Sequence, residues 1–140
     1  ELRLSRTPAP HNPELEALWH SWDMAGGWPW LNADLCGQWT PQMLSLQRLD
    51  AFSLKKGCYP GQEIVARTHY LGKSKRALYW VSGSGLAPLQ TIQQSGQDIG
   101  KLVNASFDGS HGIAVLSSDF EDSVTLFRGS DPVSVGALKM

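Results

Sequence analysis

The sequence predicts an α+β fold, a helical first part followed by a small antiparallel β-barrel, and three observations carry that expectation. Residues 13–24 and 62–70 place apolar side chains at helical spacing, with Leu15, Leu18, Trp19 and Trp22 in the first and Ile64, Val65 and Ala66 interleaved with Glu63, Arg67 and His69 in the second. After Gly72 the texture changes to short apolar runs over 77–81, 89–92, 99–105, 113–116, 124–127 and 133–138. Ser-, Gly- and Asp-rich turns separate these runs and no helical pattern lies between them, the signature of a closed antiparallel sheet. The boundary falls near Lys73, giving a helical piece over 1–72 and an all-β module over 73–140.

Each element has a local reason. Residues 1–11, with Pro8 and Pro10, read as an extended lead-in. Asn12 is placed to cap the first helix, Pro13 suits its first position, and Glu14 and Glu16 complement its dipole. Gly26-Gly27 ends it near Met24, and the apolar stripe is expected to bury both tryptophans in the core. Trp28-Pro29-Trp30 opens a loop whose rings read either as a surface for a cofactor or, the commoner fate, as packing against the next helix. Thr40-Pro41-Gln42-Met43-Leu44 reads as a short capped turn leading to Leu46–Phe52. The second helix starts at Gln62.

Composition bounds the rest. The chain has 140 residues, 41% hydrophobic and 18% charged, enough apolar material for a modest globular core. No apolar run approaches a membrane span and no signal peptide is visible, so a soluble cytoplasmic protein with no membrane partner is expected. The net charge is −1, which excludes a global pull toward nucleic acid. Charge is uneven, however: Lys55, Lys56, Arg67, Lys73, Lys75 and Arg76 face a single acid, Glu63, across 55–76. Such a run reads either as a solvated surface or as a dock for an anion.

The chemistry concentrates in Lys55-Lys56-Gly57-Cys58-Tyr59-Pro60-Gly61-Gln62-Glu63. A thiol just ahead of a helix start sits where unpaired N–H groups and the dipole favour an anion, and two lysines add positive charge, so Cys58 is expected to favour thiolate. The competing reading packs it as a small hydrophobe. Cys36 has Asp34 rather than lysines beside it and serves as the internal control; both thiols are expected to be free. Neither cysteine has zinc-ligand spacing, and His11, His20, His69 and His111 suggest no metal site. Glu63 and Arg67, four apart, are expected to form a weak ion pair. Gly57 and Gly61 permit positive φ or a close backbone approach to a ligand.

Lys56-Gly57-Cys58-Tyr59-Pro60-Gly61-Gln62-Glu63-Ile64-Val65-Ala66-Arg67, followed by Leu71-Gly72 and Lys75-Arg76-Ala77-Leu78, resembles the signature of the YgfZ proteins, folate-binding, tRNA-modifying and iron–sulfur-related relatives of the glycine cleavage T-protein. The resemblance extends upstream through Gly37-Gln38-Trp39-Thr40-Pro41-Gln42 and Leu46 and covers about residues 24 to 80. The chain departs from it at Asp23 and Met24, where the family carries an arginine nearby, and at Ser45, where it often has Asn. The resemblance implies that the chain corresponds to the carboxyl-terminal half of a three-domain ring: the end of a T-protein-like central domain and the terminal barrel, without the amino-terminal half. It implies tetrahydrofolate as cofactor, Cys58 as the acting residue, and Lys56, Gly57, Tyr59, Gly61, Gln62, Glu63 and Arg67 as cofactor-binding positions. Iron–sulfur proteins or their assembly machinery are the implied partners, with tRNA an indirect one. An accessory role is thus expected; a folate-dependent aminomethyltransferase and a non-catalytic tRNA- or protein-docking module are the alternatives.

Overall fold

The computed structural model describes residues 10–57, 60–72, 74–120 and 125–138. Cys58, Tyr59, Lys73 and the expected strand start at Val124 lie outside them. Helix α1 spans Pro13–Ala25, capped as the sequence suggests: Asn12 Oδ1 accepts from the Leu15 N–H at 3.1 Å and Pro13 takes the first position. Its end is held by Gly26 and Gly27, whose N–H groups donate to Trp22 and Met24 carbonyls at 2.9 and 2.8 Å. Gly27 takes φ +67, a left-handed conformation that glycine adopts without a Cβ penalty. Arg48 closes this terminus, donating from Nη1 to the Gly26 carbonyl at 2.8 Å and from Nη2 to the Gly27 carbonyl.

The face of α1 that is covered is not the expected one. His20 and Met24, four apart, are buried, whereas Leu15, Leu18, Trp19 and Trp22 are 46% to 63% exposed. Trp30 does not reach a following helix either. It packs edge-on against His20, ring centroids 4.5 Å apart, and its Nε1 donates to Asp23 Oδ2 at 2.7 Å, so the Trp28–Trp30 loop folds back on α1. Two short 3₁₀ turns, Ala33–Leu35 and Leu46–Leu49, lead to α2, Gln62–Leu71.

Six strands follow: β1 (Arg76–Ser82), β2 (Thr91–Gln94), β3 (Gln97–Ala105), β4 (His111–Ser117), β5 (Leu126–Arg128) and β6 (Asp131–Gly136). They close into a barrel in the order β1-β4-β3-β2-β5-β6, all neighbours antiparallel. Two expected bounds shift for visible reasons. Leu89 takes φ +66 in a turn, so β2 begins only at Thr91; β6 begins at Asp131 because that residue pairs with Arg128 across the β5–β6 hairpin.

Alternation along the strands sorts the barrel residues into two sets. Val81, Ile92, Leu102, Ala114, Leu116, Leu126 and Val133 fill one cluster with Leu86. Leu78, Val103, Ile113 and Val115 point the other way and pack with Leu44, against which Trp39, Met43, Leu46, Trp80 and Leu138 close. Strand β4 is therefore buried on both faces from Gly112 to Leu116, and the loop region before α2 shares a core with the barrel wall.

Two polar links lock this seam. Ser45, at φ +52, accepts the Leu78 N–H on its hydroxyl at 3.0 Å, giving a structural use to a position where the resemblance has Asn. Asn104, at a register shift in β3, accepts from the Trp30 N–H and donates to the Trp30 carbonyl, both at 2.8 Å. No helix among the described residues is long and apolar enough to cross a membrane.

Candidate functional site

The segment after Lys55-Lys56-Gly57 enters α2 through Gly61, which sits at the helix N-cap with φ +85 and offers no side-chain cap. Among the described residues a Cβ there would meet nothing within 4 Å, so the requirement for glycine is conformational. Gln62 braces the approach, its Nε2 donating to the Lys56 carbonyl at 3.3 Å. Across from the helix, Gln42 Nε2 donates to the Val65 carbonyl at 2.8 Å, and Val65 is the buried anchor of α2.

Between these elements opens a cleft of about 560 Å³, lined on one side by Gly37–Pro41 and Met43 and on the other by Ala51, Phe52, Pro60, Gly61, Ile64 and Val65. Its walls are mostly apolar, with ring surfaces from Trp39, Pro41, Phe52 and Pro60 and polar groups at Gln38 and Thr40. Two smaller clefts adjoin. One of about 380 Å³ shares Phe52 and runs past Gln42, Thr68, His69 and Arg76. The other, about 260 Å³, shares Gln38 and Trp39 and is lined by Arg76, Thr91, Asp98, Gly100 and Lys101.

Of the expected site residues, Gly61 lines the large cleft directly. Lys56 and Gly57 are exposed at its approach, and Gln62 is half-buried behind it. Glu63 and Arg67 point away to solvent and form no ion pair with each other; the only close charged contacts among the described residues are His11–Glu16 and Arg128–Asp131. Two exposed side chains joined at high dielectric gain too little to fix a geometry. Gly57 has no positive φ. Cys58 and Tyr59 lie outside the described residues. Trp39, Pro41, Phe52, Ile64 and Val65 were not singled out from sequence as site residues, although Trp39 and Pro41 stand in the Gly37–Gln42 stretch of the resemblance.

The remaining polar groups serve the scaffold. Cys36 is an exposed free thiol donating to the Asn32 carbonyl at 3.3 Å. His20, buried against Trp30 and Phe107, has its pKa lowered by desolvation, against the opposing pull of Asp23 and Glu16. Asp108 in the β3–β4 turn has its pKa lowered to about 2 by hydrogen bonds from Ser106 and Ser110. Among the described residues no three His, Cys, Asp or Glu side chains gather as a metal site.

No family model matches the chain. Among curated proteins it is 36% identical to the tRNA-modifying protein YgfZ of Aliivibrio fischeri over 117 residues, which takes in 76% of this chain and 37% of that one. It is 43% identical over 76 residues to the protein of the same name from Colwellia psychrerythraea, and 47% identical over 66 residues to that of Yersinia enterocolitica. The chain belongs to the YgfZ family. It spans 37% of the Aliivibrio YgfZ protein's length and 24% and 20% of the other two.

Proposed function

We propose that this YgfZ-family chain is part of a folate-binding accessory protein that acts in the cytoplasm in support of iron–sulfur enzymes and tRNA modification, with Cys58 as its acting residue and its helical part as a portion of a T-protein-like domain. The observation that carries the reading is the ring-lined cleft at the start of α2, which opens beside Pro60 and Gly61, the residues directly after Cys58-Tyr59. Its volume lies in the range of small-molecule sites, and apolar walls with a few polar groups are what a flat heteroaromatic ligand requires. Gln42 Oε1 is buried with no partner among the described residues, an acceptor left over beside the adjoining cleft. Rings on the walls, polar groups at Gln38 and Thr40 and an acceptor next door suit a pterin-type ring.

Tetrahydrofolate, when bound, supplies a carrier for one-carbon units. The chain's own residues do the holding: Trp39 and Phe52 offer stacking faces, Gly61 adds no side chain, and Gln62 ties the Lys56 carbonyl to the start of α2. Lys55 and Lys56, exposed ahead of Cys58, favour its thiolate. Iron–sulfur-dependent tRNA thiolation in cells lacking the protein tests the reading: complementation is expected from Cys36→Ala and not from Cys58→Ala at equal abundance. Equal complementation by both variants would remove Cys58 from the mechanism.

A docking role has one observation of its own. Lys55, Lys56, Arg67, Lys75 and Arg76 are all exposed, and none has an ion-pair partner among the described residues. Binding of tRNA through this run would weaken steeply with salt and be lost on charge reversal at Lys73 and Arg76.

A further inference from the structure

The large apolar cleft and the small polar one are neighbouring chambers. Both are lined by Gln38 and Trp39, but their chemistry differs. The large chamber offers rings; the small one offers two cations, Arg76 and Lys101, and one acid, Asp98.

Strand register explains why the cations converge. On β4, Ser117 pairs with Arg76 of β1 and Val115 pairs with Lys101 of β3. Ser117 and Val115 are two residues apart and share a face, so Arg76 and Lys101 stand on that same face, on the two strands that flank β4. Two strand spacings and a two-residue stagger separate their Cα atoms by roughly 12 Å. Val115 packs with Leu44 and Leu78 in the seam cluster, so the face that carries the cations is the one on which the Trp39 loop lies. Gly100, next to Lys101 on β3, also lines the chamber.

Neither cation is neutralised among the described residues. No carboxylate lies within ion-pair distance of Arg76 or Lys101 among the described residues, and Asp98 Oδ1 instead accepts from Gln93 Nε2 at 2.7 Å. The polar chamber therefore holds a net positive charge next to a ring-binding wall.

We propose that this chamber is the subsite for the anionic tail of the ligand whose ring lies in the apolar cleft, with Arg76 and Lys101 receiving its carboxylates and Trp39 lining both chambers. The inference rests on the folate reading and assigns the glutamyl end of that ligand to the barrel wall. A guanidinium and an ammonium on separate strands suit a tail bearing more than one carboxylate, so affinity rises with the number of γ-linked glutamates.

Calorimetric titration of the protein at low ionic strength with 5-formyltetrahydrofolate carrying one or three glutamates tests this. The triglutamate form is expected to bind about ten-fold tighter, with the gap closing as salt is raised. The double variant Arg76→Ala/Lys101→Ala is expected to lose that preference while still binding the monoglutamate, and Arg76→Lys/Lys101→Arg to keep it. Both side chains are exposed and have no ion-pair partner among the described residues, so thermal unfolding of the double variant should match wild type. Equal affinity of wild type for the two forms, or a preference that survives in the double variant, would overturn the tail subsite alone. Absence of binding by either form would overturn the tail subsite together with the folate reading beneath it.

Discussion

Removal of the Asn104 amide is the sharpest test of how the helical part is held to the barrel. Asn104 is 5% exposed and makes two hydrogen bonds of 2.8 Å to the backbone of Trp30, one as acceptor and one as donor. In Asn104→Ala the Trp30 N–H and C=O both lose their partner in a partly buried setting. Each such orphaned group costs about 1–3 kcal/mol, and partial access of water at the seam holds the total to about 2–4 kcal/mol. Urea unfolding followed by far-UV circular dichroism reads this as a lower midpoint at unchanged slope. Tryptophan fluorescence should change in the folded baseline as well, because Trp30 loses its seat against His20. A loss below about 0.5 kcal/mol with an unaltered baseline would show that the Trp30 loop is not fastened to β3 in this way.

Other consequences are equally direct. Met24→Ala, which empties a fully buried site, should cost about 2–5 kcal/mol, whereas Trp22→Ala on the exposed stripe should stay within about 0.5 kcal/mol; chemical denaturation of both variants checks the contrast, and it is the reverse of what the helical pattern alone suggests. Gly27→Ala forces a Cβ to 2.0 Å from Arg48 Nη2 at φ +67, so the residue pays left-handed strain and Arg48 gives up its carbonyls; a loss of about 2–4 kcal/mol in the same assay is expected. Burial lowers the His20 pKa, so the unfolded chain binds its proton more readily than the folded one. That contribution is whole above about pH 6.5 and is lost as pH falls toward the lowered folded value, so stability should drop on acidification through this window, and His20→Phe should flatten the profile measured by thermal unfolding.

Local chemistry made much of the fold legible. Asn12-Pro13 and Gly26-Gly27 marked both ends of α1, and the switch from helical to alternating spacing after Gly72 marked the barrel. What spacing does not reveal is which side of a helix is covered. Leu15, Leu18, Trp19 and Trp22 share a face, as their spacing implies, yet the barrel side of the molecule takes the stripe of His20 and Met24. Contacts between distant segments were invisible for the same reason: Ser45 with Leu78 and Asn104 with Trp30 join residues 33 and 74 positions apart and leave no local pattern.

The candidate site was half legible. The Lys56–Glu63 run pointed to the start of α2, and the cleft does open there, beside Gly61. Its facing wall, Gly37–Pro41 and Met43, depends on how the loop after Gly37 lies across the barrel, which no motif encodes. Conversely, Glu63 and Arg67 belong to the motif but face solvent on the far side of α2, so their place in the sequence signature does not put them at the cleft.

Amide chemical-shift mapping during titration with 5-formyltetrahydrofolate tests the central claim most directly. If the cleft is the ligand site, saturable shifts will concentrate at Gln38–Thr40, Met43, Phe52 and Gly61–Val65 and fade toward the β5–β6 hairpin. Shifts centred away from these residues, or none at ligand excess, would contradict it.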